Sequence, residues 1–302
     1  MRIAVVGIGL MGRPVAQRLV DAGHEVTVHS RRKESAEEVL AAGASWADSA
    51  AAAGDGADLA IAFLPDPDTV EAAVLGPSGL LAAAAPPAVV ADMSTSPPEL
   101  ARRLAVAATD RGVEALDAPV SGGPMGAAAG TLTIMAGGSA EAFERARPAF
   151  EVLGTPVLIG GPGAGQSVKL VNQLLIGGIA GGIADAWALA GALGLDPEVV
   201  ADVVGRGLGT GPLLDFMWPR LVRGDLAPGF KVDHMIKDLA LAEAAGEEHG
   251  LDLAAGRSAR ERYRWLSDAG GGDLGTQALY RHAVRDRPDA PTAPVAEEDD
   301  RP

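Results

Sequence analysis

The sequence has no cysteine among its 302 residues. That excludes a disulfide scaffold, a thiol nucleophile, a cysteine-ligated zinc site and an iron–sulfur cluster. Basic residues are scarce: 25 Lys and Arg stand against 40 Asp and Glu, giving a net charge of −15. So acidic a chain is unsuited to general binding of nucleic acid or anionic membranes, and neither is expected as a partner. The five histidines show no ligand spacing, so no metal is expected. No Gly-x-y period runs along the chain, which excludes collagen, and no other internal repeat is visible. Long apolar runs are few. The first, Ile3 to Val6, stops at Gly7, as a buried strand does and the core of a secretory signal does not. The longest, Leu174 to Leu193, is interrupted by Asp185 and holds Gly177, Gly178, Gly181 and Gly182. It reads as a helix buried by other helices, and a cytoplasmic location is expected.

What the chain has in quantity is glycine, 40 residues, within a composition 48% hydrophobic and 22% charged. That is enough apolar material for a large core, and the length fits one large domain or two ordinary ones. Up to about Gly161, short apolar runs alternate with Ala-rich amphipathic stretches. Strands are predicted at Ile3–Val6, Glu25–His29, Leu59–Phe63, Ala88–Ala91, Glu114–Asp117, Thr131–Ala136 and Val157–Ile159, with helices such as Pro14–Asp21 and Ala36–Ala41 between the early ones. This alternation predicts an α/β fold with a doubly wound parallel sheet. The run Gly160 to Gly165 breaks the pattern, and the rest reads as helices joined by Gly/Pro turns. The expected division is a dinucleotide-binding domain at 1–162, an all-α domain for substrate and oligomerisation at 163–285, and a disordered acidic tail at 286–302.

The amino-terminal segment Ile3-Ala-Val-Val-Gly7-Ile8-Gly9-Leu10-Met11-Gly12 has the order strand, tight turn, helix. In such a unit the first glycine permits the turn, the second lets a pyrophosphate approach the backbone, and the third lets helix pack on strand. The helix N-terminus supplies free N–H groups and a positive dipole end. An NAD site usually places a carboxylate at the end of the second strand. Here that end reads His29-Ser30-Arg31-Arg32-Lys33, with no acid before Glu34. Ser30, Arg31 and Arg32 suit a ribose 2′-phosphate, so NADP is favoured over NAD.

Four motifs then resemble the β-hydroxyacid dehydrogenase family: Gly7–Leu19, Asp117–Gly138 (DAPVSGGPMGAAAGTLTIMAGG), Gly163–Leu175 (GAGQSVKLVNQLL) and Ile236–Ala242 (IKDLALA). The resemblance runs from residue 1 to about 283 and implies a dinucleotide-binding Rossmann domain followed by an all-α domain, as in 6-phosphogluconate dehydrogenase. It implies NAD(P)-dependent interconversion of a short carboxylated aldehyde or 2-oxo acid with its hydroxyacid. By resemblance, Ser121, Gly122 and Gly123 bind the substrate carboxylate; their own chemistry, a hydroxyl followed by two bare residues, also fits a plain tight turn. Lys169 is implied as the catalytic proton donor, with Asn172 one turn further on. The residues alone favour a lysine that snorkels from an apolar helix. Leu64, Pro65, Thr95 and Lys237 match cofactor-lining positions, and Gln173 and Asp238 substrate positions. The form Lys169-Leu-Val-Asn172-Gln173 departs from the Lys-x-x-Asn-Asn of 3-hydroxyisobutyrate dehydrogenases and resembles the tartronate semialdehyde (2-hydroxy-3-oxopropionate) reductase branch. That branch often has Asp where this chain has Ser30. A homodimer or homotetramer is implied through the helical domain. The alternatives are an imine reductase, which usually has Asp or Tyr in place of Lys169, and a silent cofactor-binding module, which is expected to lose that lysine.

Overall fold

A computed structural model describes residues 1–286. The acidic tail expected at 286–302 lies outside the described residues except for Asp286. The chain divides into two compact units, Met1–Lys169 and the remainder from Leu170.

The first unit holds nine strands: β1 (Arg2–Val6), β2 (Glu25–His29), β3 (Ser45–Trp46), β4 (Leu59–Ala62), β5 (Val89–Asp92), β6 (Glu114–Asp117), β7 (Val120–Ser121), β8 (Leu132–Gly138) and β9 (Gly154–Gly160). Seven helices lie among them: α1 (Gly12–Asp21), α2 (Glu37–Ala41), α3 (Ala50–Gly54), α4 (Pro67–Leu75), α5 (Pro98–Thr109), α6 (Gly123–Ala129) and α7 (Ala140–Leu153). The strand order is β3-β2-β1-β4-β5-β6-β8-β7, with β9 also paired to β8. From β3 to β6 every pairing is parallel. Strand β8 then runs antiparallel to β6 and β7 and parallel to β9. The expected parallel sheet is therefore mixed at this edge.

Parallel strands covered on both faces read as continuous apolar runs, and their alternate residues feed two cores. Ile3, Val5, Val26, Val28, Leu59 and Ile61 pack on one face with Val15 and Leu19 of α1 and Phe143, Phe150 and Leu153 of α7. Ala4, Val6, Ala60 and Val90 pack on the other with Val70 and Val74 of α4 and Leu100 and Leu104 of α5. Helix starts are fixed locally: Ser49, Asp66 and Ser139 each accept a hydrogen bond from the backbone N–H three residues on. The glycine-rich stretch after Gly122 forms α6 before the chain reaches β8. Its weak helix propensity is offset by Pro124 in the first turn and a left-handed Gly130 (φ 70°) at its end.

Helix α8 (Ala164–Ala192) begins in the first unit and continues into the second, and, contrary to the expectation of a helix buried along its length, Leu175, Ile179 and Leu189 are exposed. The second unit adds α9 (Pro197–Gly205), α10 (Pro212–Val222), α11 (Val232–Glu248), α12 (Ala254–Leu266) and α13 (Tyr280–Val284). One of its cores joins Leu239 and Met235 of α11 to Tyr263 and Leu266 of α12. The other joins Ile183 of α8 to Met217 and Trp218 of α10, with Trp187 edge-on to Trp218 at 5.2 Å between ring centroids. After Gly160 the described residues contain no strand, only an isolated bridge between Lys231 and Gly275.

Candidate active site

Five neighbouring parallel strands end on one line. The register pairs His29 with Val6, Val6 with Ala62, Ala62 with Asp92 and Asp92 with Asp117. The segments that leave these ends carry Ser30, Gly7, Leu64, Thr95 and Ser121, so every site residue expected before the Gly160 run follows a carboxyl strand end. In open α/β sheets ligands bind in the crevice outside these ends.

The three motif glycines do different things. Gly7 has φ +98°, and a Cβ there would lie 2.1 Å from the Phe63 carbonyl oxygen. A Cβ on Gly12 would lie 1.9 Å from the Gly7 carbonyl oxygen, so α1 packs hard against the turn. A Cβ on Gly9 would meet nothing within 4 Å. The fold itself demands the first and third glycines, whereas the second keeps backbone bare toward open space. Leu10 is exposed and Met11 half-buried, while Ile8 is buried in the core, so only its backbone is available to a ligand. The Leu64 N–H donates to Ser94 Oγ at 2.9 Å, tying the loop after β4 to the loop that carries Thr95.

At the end of β2, Arg31 and Arg32 are exposed and have no ion-pair partner among the described residues. Ser30 is half-buried. Trp46 lies beside this corner, its ring 5.8 Å from the His29 ring and 5.8 Å from Lys33 Nζ.

Ser121 ends β7, and the next two residues, Gly122 (φ +133°) and Gly123 (φ +62°), take backbone conformations reserved for glycine. Lys169 is buried, and its Nζ donates to the Val120 carbonyl at 2.7 Å. The chain segment that forms the turn therefore also anchors the lysine.

A buried polar group supports that arrangement. Asp117 Oδ1 accepts from the Gly163 N–H at 2.7 Å, and Oδ2 from the Gln166 N–H at 2.8 Å. Gln166 in turn donates to the Ser94 carbonyl and accepts from the Ser96 N–H. Asp92 accepts from the Ser94 N–H and from Ser96 Oγ. Burial pushes the Asp117 carboxyl up to about 6, and the Asp92 charge adds to this against the pull of its backbone hydrogen bonds. Asp117 lies within the second motif, but neither it nor Gln166 or Asp92 carries an expected role from the sequence. The available signal was two acids at the ends of adjacent strands.

In the second unit, Asn172, Gln173, Asp238 and Lys237 form one chain of contacts. Asn172 Nδ2 donates to Gln173 Oε1 at 2.9 Å, and Gln173 Nε2 donates to Asp238 Oδ2 at 2.6 Å. Lys237 Nζ lies 2.8 Å from Asp238 Oδ1, an ion pair outside hydrogen-bonding angles. A carboxylate only accepts, so Gln173 must turn its NH2 group to Asp238 and its oxygen to Asn172. That leaves Asn172 one N–H and its own oxygen.

Residues 2–161 match the family model for the NAD-binding domain of 6-phosphogluconate dehydrogenase. Residues 163–283 match that for the NAD-binding domain of NADP-dependent 3-hydroxyisobutyrate dehydrogenase. This chain belongs to the β-hydroxyacid dehydrogenase family. Among the relatives of the enzyme is the NAD-dependent L-serine dehydrogenase of Pseudomonas aeruginosa, 42% identical over 89% of this chain and 93% of its own. Another is the 2-hydroxy-3-oxopropionate reductase of Escherichia coli, 33% identical over 93% and 96%. A crystal structure of 3-hydroxyisobutyrate dehydrogenase from Salmonella typhimurium has a TM-score of 0.86 at 30% identity, covering 92% of this chain and 98% of that one. The enzyme is an NAD(P)-dependent oxidoreductase of hydroxyacids. Its residues fit that cofactor: Gly9 offers an uncovered backbone at the start of α1, where a pyrophosphate binds in such folds.

Proposed function

We propose that the enzyme reduces a short carboxylated aldehyde or 2-oxo acid with NADPH, and runs the reverse oxidation of the hydroxyacid. The observation that carries this is the buried Lys169 ammonium held on the Val120 carbonyl, directly before the Ser121-Gly122-Gly123 turn. Consecutive backbone N–H groups at such a turn suit a carboxylate. A substrate held there by its acid group has its carbonyl fixed in one orientation, which removes much of the entropic barrier.

A reduced nicotinamide, when bound, would supply the hydride. As the carbon–oxygen double bond becomes single, negative charge grows on oxygen. Lys169 gives that oxygen a proton and becomes a neutral amine; in oxidation it takes the proton back. Asn172, on the next turn of the same helix, polarises the carbonyl with its remaining N–H, and Gln173 and Asp238 fix its orientation. Lys237 is assigned to the cofactor. The unpaired Arg31 and Arg32, with Ser30, support the choice of NADPH, since a 2′-phosphate brings charge that a ribose hydroxyl lacks.

The reading includes a cytoplasmic homodimer or homotetramer. Along α8, Val171, Leu175 and Ile179 are all more than half exposed at helical spacing, and α9 buries none of its residues within the chain. An apolar stripe of this kind is supported best as a surface covered by a second copy.

The test is a substrate panel read by absorbance, with NADPH and NADH in parallel: glyoxylate, tartronate semialdehyde, succinic semialdehyde and a cyclic imine for reduction, and L-serine and 3-hydroxyisobutyrate for oxidation. Turnover of a carboxylated substrate is expected, with Lys169→Ala binding NADPH normally and losing activity by about a hundredfold or more. Full activity of Lys169→Ala would overturn the assignment, and turnover of the imine alone would move the enzyme to a different reaction.

A further inference from the structure

The segment 117–123 grips the first turns of α8 at two places. At one, the Asp117 carboxylate accepts from the N–H groups of Gly163 and Gln166. At the other, the Val120 carbonyl accepts from Lys169 Nζ, three residues beyond Gln166. Three residues is just under one helical turn, so the two contacts fix both the height of the helix start and its rotation. The same segment continues into Ser121-Gly122-Gly123. The spacing between lysine and turn is thus set by a few atoms, one of which is ionisable.

The packing leaves no slack for another arrangement. A Cβ on Gly137 would lie 2.6 Å from Asp117 Oδ1, and one on Gly165 would lie 2.2 Å from the Met135 carbonyl oxygen. Both glycines let the helix start and strand β8 close around the carboxylate. The groups facing Asp117 are largely uncharged: β8 supplies none that titrate, and Ser94, Ser96 and Gln166 are neutral. The exceptions are Asp92 on the neighbouring strand β5, Lys169 one turn along α8, and Arg102 of α5, which lies near Gly163 and pairs with Glu99.

A carboxylate buried here costs stability. Burying an ionised group in an apolar setting is unfavourable, and a neutral amide would escape that penalty but would offer one acceptor oxygen to the two N–H groups. Its retention is explained by what the charge does to the helix: an anion at the helix start is attracted by both N–H groups and by the dipole.

We propose that Asp117 is a positioning residue for the reaction: its ionised carboxylate, by clamping the amides of Gly163 and Gln166, holds Lys169 in register with the Ser121-Gly122-Gly123 turn. The inference rests on the reading of Lys169 as proton donor. It adds that the lysine's placement depends on a group that never touches substrate.

The decisive variant is Asp117→Asn, which keeps shape, removes the charge and leaves one acceptor oxygen where the two N–H groups now find two. Its kcat at pH 8 should fall about tenfold to a hundredfold, the cost expected of a misplaced reacting group. KM for the carboxylated substrate and the NADPH dissociation constant should stay at wild-type values. In the wild type, kcat should fall as pH drops through about 6, where Asp117 takes up its proton, and the variant should lack this limb. Gln166→Leu, which keeps the Gln166 backbone N–H and cuts the ties to Ser94 and Ser96, should retain it. Hydrogen exchange of the amides from 163 to 169 gives a readout apart from activity: a local opening that frees the two N–H groups while Asp117 stays buried costs the ionised carboxyl more than the protonated one, so protection in the wild type, corrected for intrinsic rates, should drop between pH 8 and pH 5. If Asp117→Asn does not fold, the wild-type pH series decides alone. A variant with wild-type kcat, an unchanged acid limb, or wild-type exchange that is flat across pH 6 overturns the inference. Lys169→Ala with full turnover defeats the parent reading; a dead Lys169→Ala beside an unaffected Asp117→Asn defeats this inference only.

Discussion

A methyl group on Gly12 would lie 1.9 Å from the Gly7 carbonyl oxygen, while one on Gly9 would touch nothing. The same substitution in one motif therefore separates folding from ligand binding. Gly12→Ala is expected to lower stability by about 1–3 kcal/mol in urea unfolding, the usual cost of overpacking. Gly9→Ala should leave stability within about 0.5 kcal/mol and raise the NADPH dissociation constant several-fold. Wild-type NADPH affinity in Gly9→Ala would mean the pyrophosphate does not approach that backbone. Asp117 gives a second separation at this scale. Its carboxyl is raised from the ordinary 3.8 to about 6 by burial, so between those values the folded state holds more proton than the unfolded one. Stability contributed by this group is therefore present below about pH 4 and is lost as pH rises to about 6. Measured against Asp117→Asn, the wild type should lose ground in unfolding free energy between pH 4 and pH 7. A wild type that instead gains over this range would reverse the sign and contradict the burial argument.

Whether an element could be read from the sequence depended on its length and on how far away its partners lie. Strands β1, β4 and β5 are largely apolar runs and β2 alternates valine with polar residues, so their pattern alone locates them. Strands β3 and β7 are two residues each and have no period to detect. Helix α6 is Gly-Pro-Met-Gly followed by three alanines, and its caps became clear only in three dimensions. Lys169 was ambiguous for a different reason: a lysine on an apolar helix looks the same whether it snorkels or reacts, and only the family resemblance gave it a role. Asp117 went unassigned because its partners Gly163 and Gln166 are 46 and 49 residues away. Helix α8 carries a prediction of its own. Leu175→Glu puts a charge in the middle of the exposed stripe formed with Val171 and Ile179. Burying that charge in an interface is costly, so the variant should sediment as a smaller species than the wild type. An unchanged sedimentation coefficient would place the interface elsewhere.

Over the whole molecule, the chemistry runs against the average. The chain is acidic by 15 charges, yet at the end of β2 three cations stand in a row where a phosphate is proposed. The aromatic residues are as unevenly placed. Of the four tryptophans, Trp187, Trp218 and Trp265 belong to the second unit, and Trp46 alone to the first. Trp46 sits between the His29 ring and the Lys33 ammonium, next to the proposed 2′-phosphate corner. Indole emission responds to nearby charge, so the protein carries a built-in optical reporter for its cofactor. Adding NADPH should change the emission of the wild type, and Trp46→Phe should remove the part of the change that comes from the adenosine end. That part should be larger for NADPH than for NADH, which gives a measure of cofactor preference in the absence of any substrate.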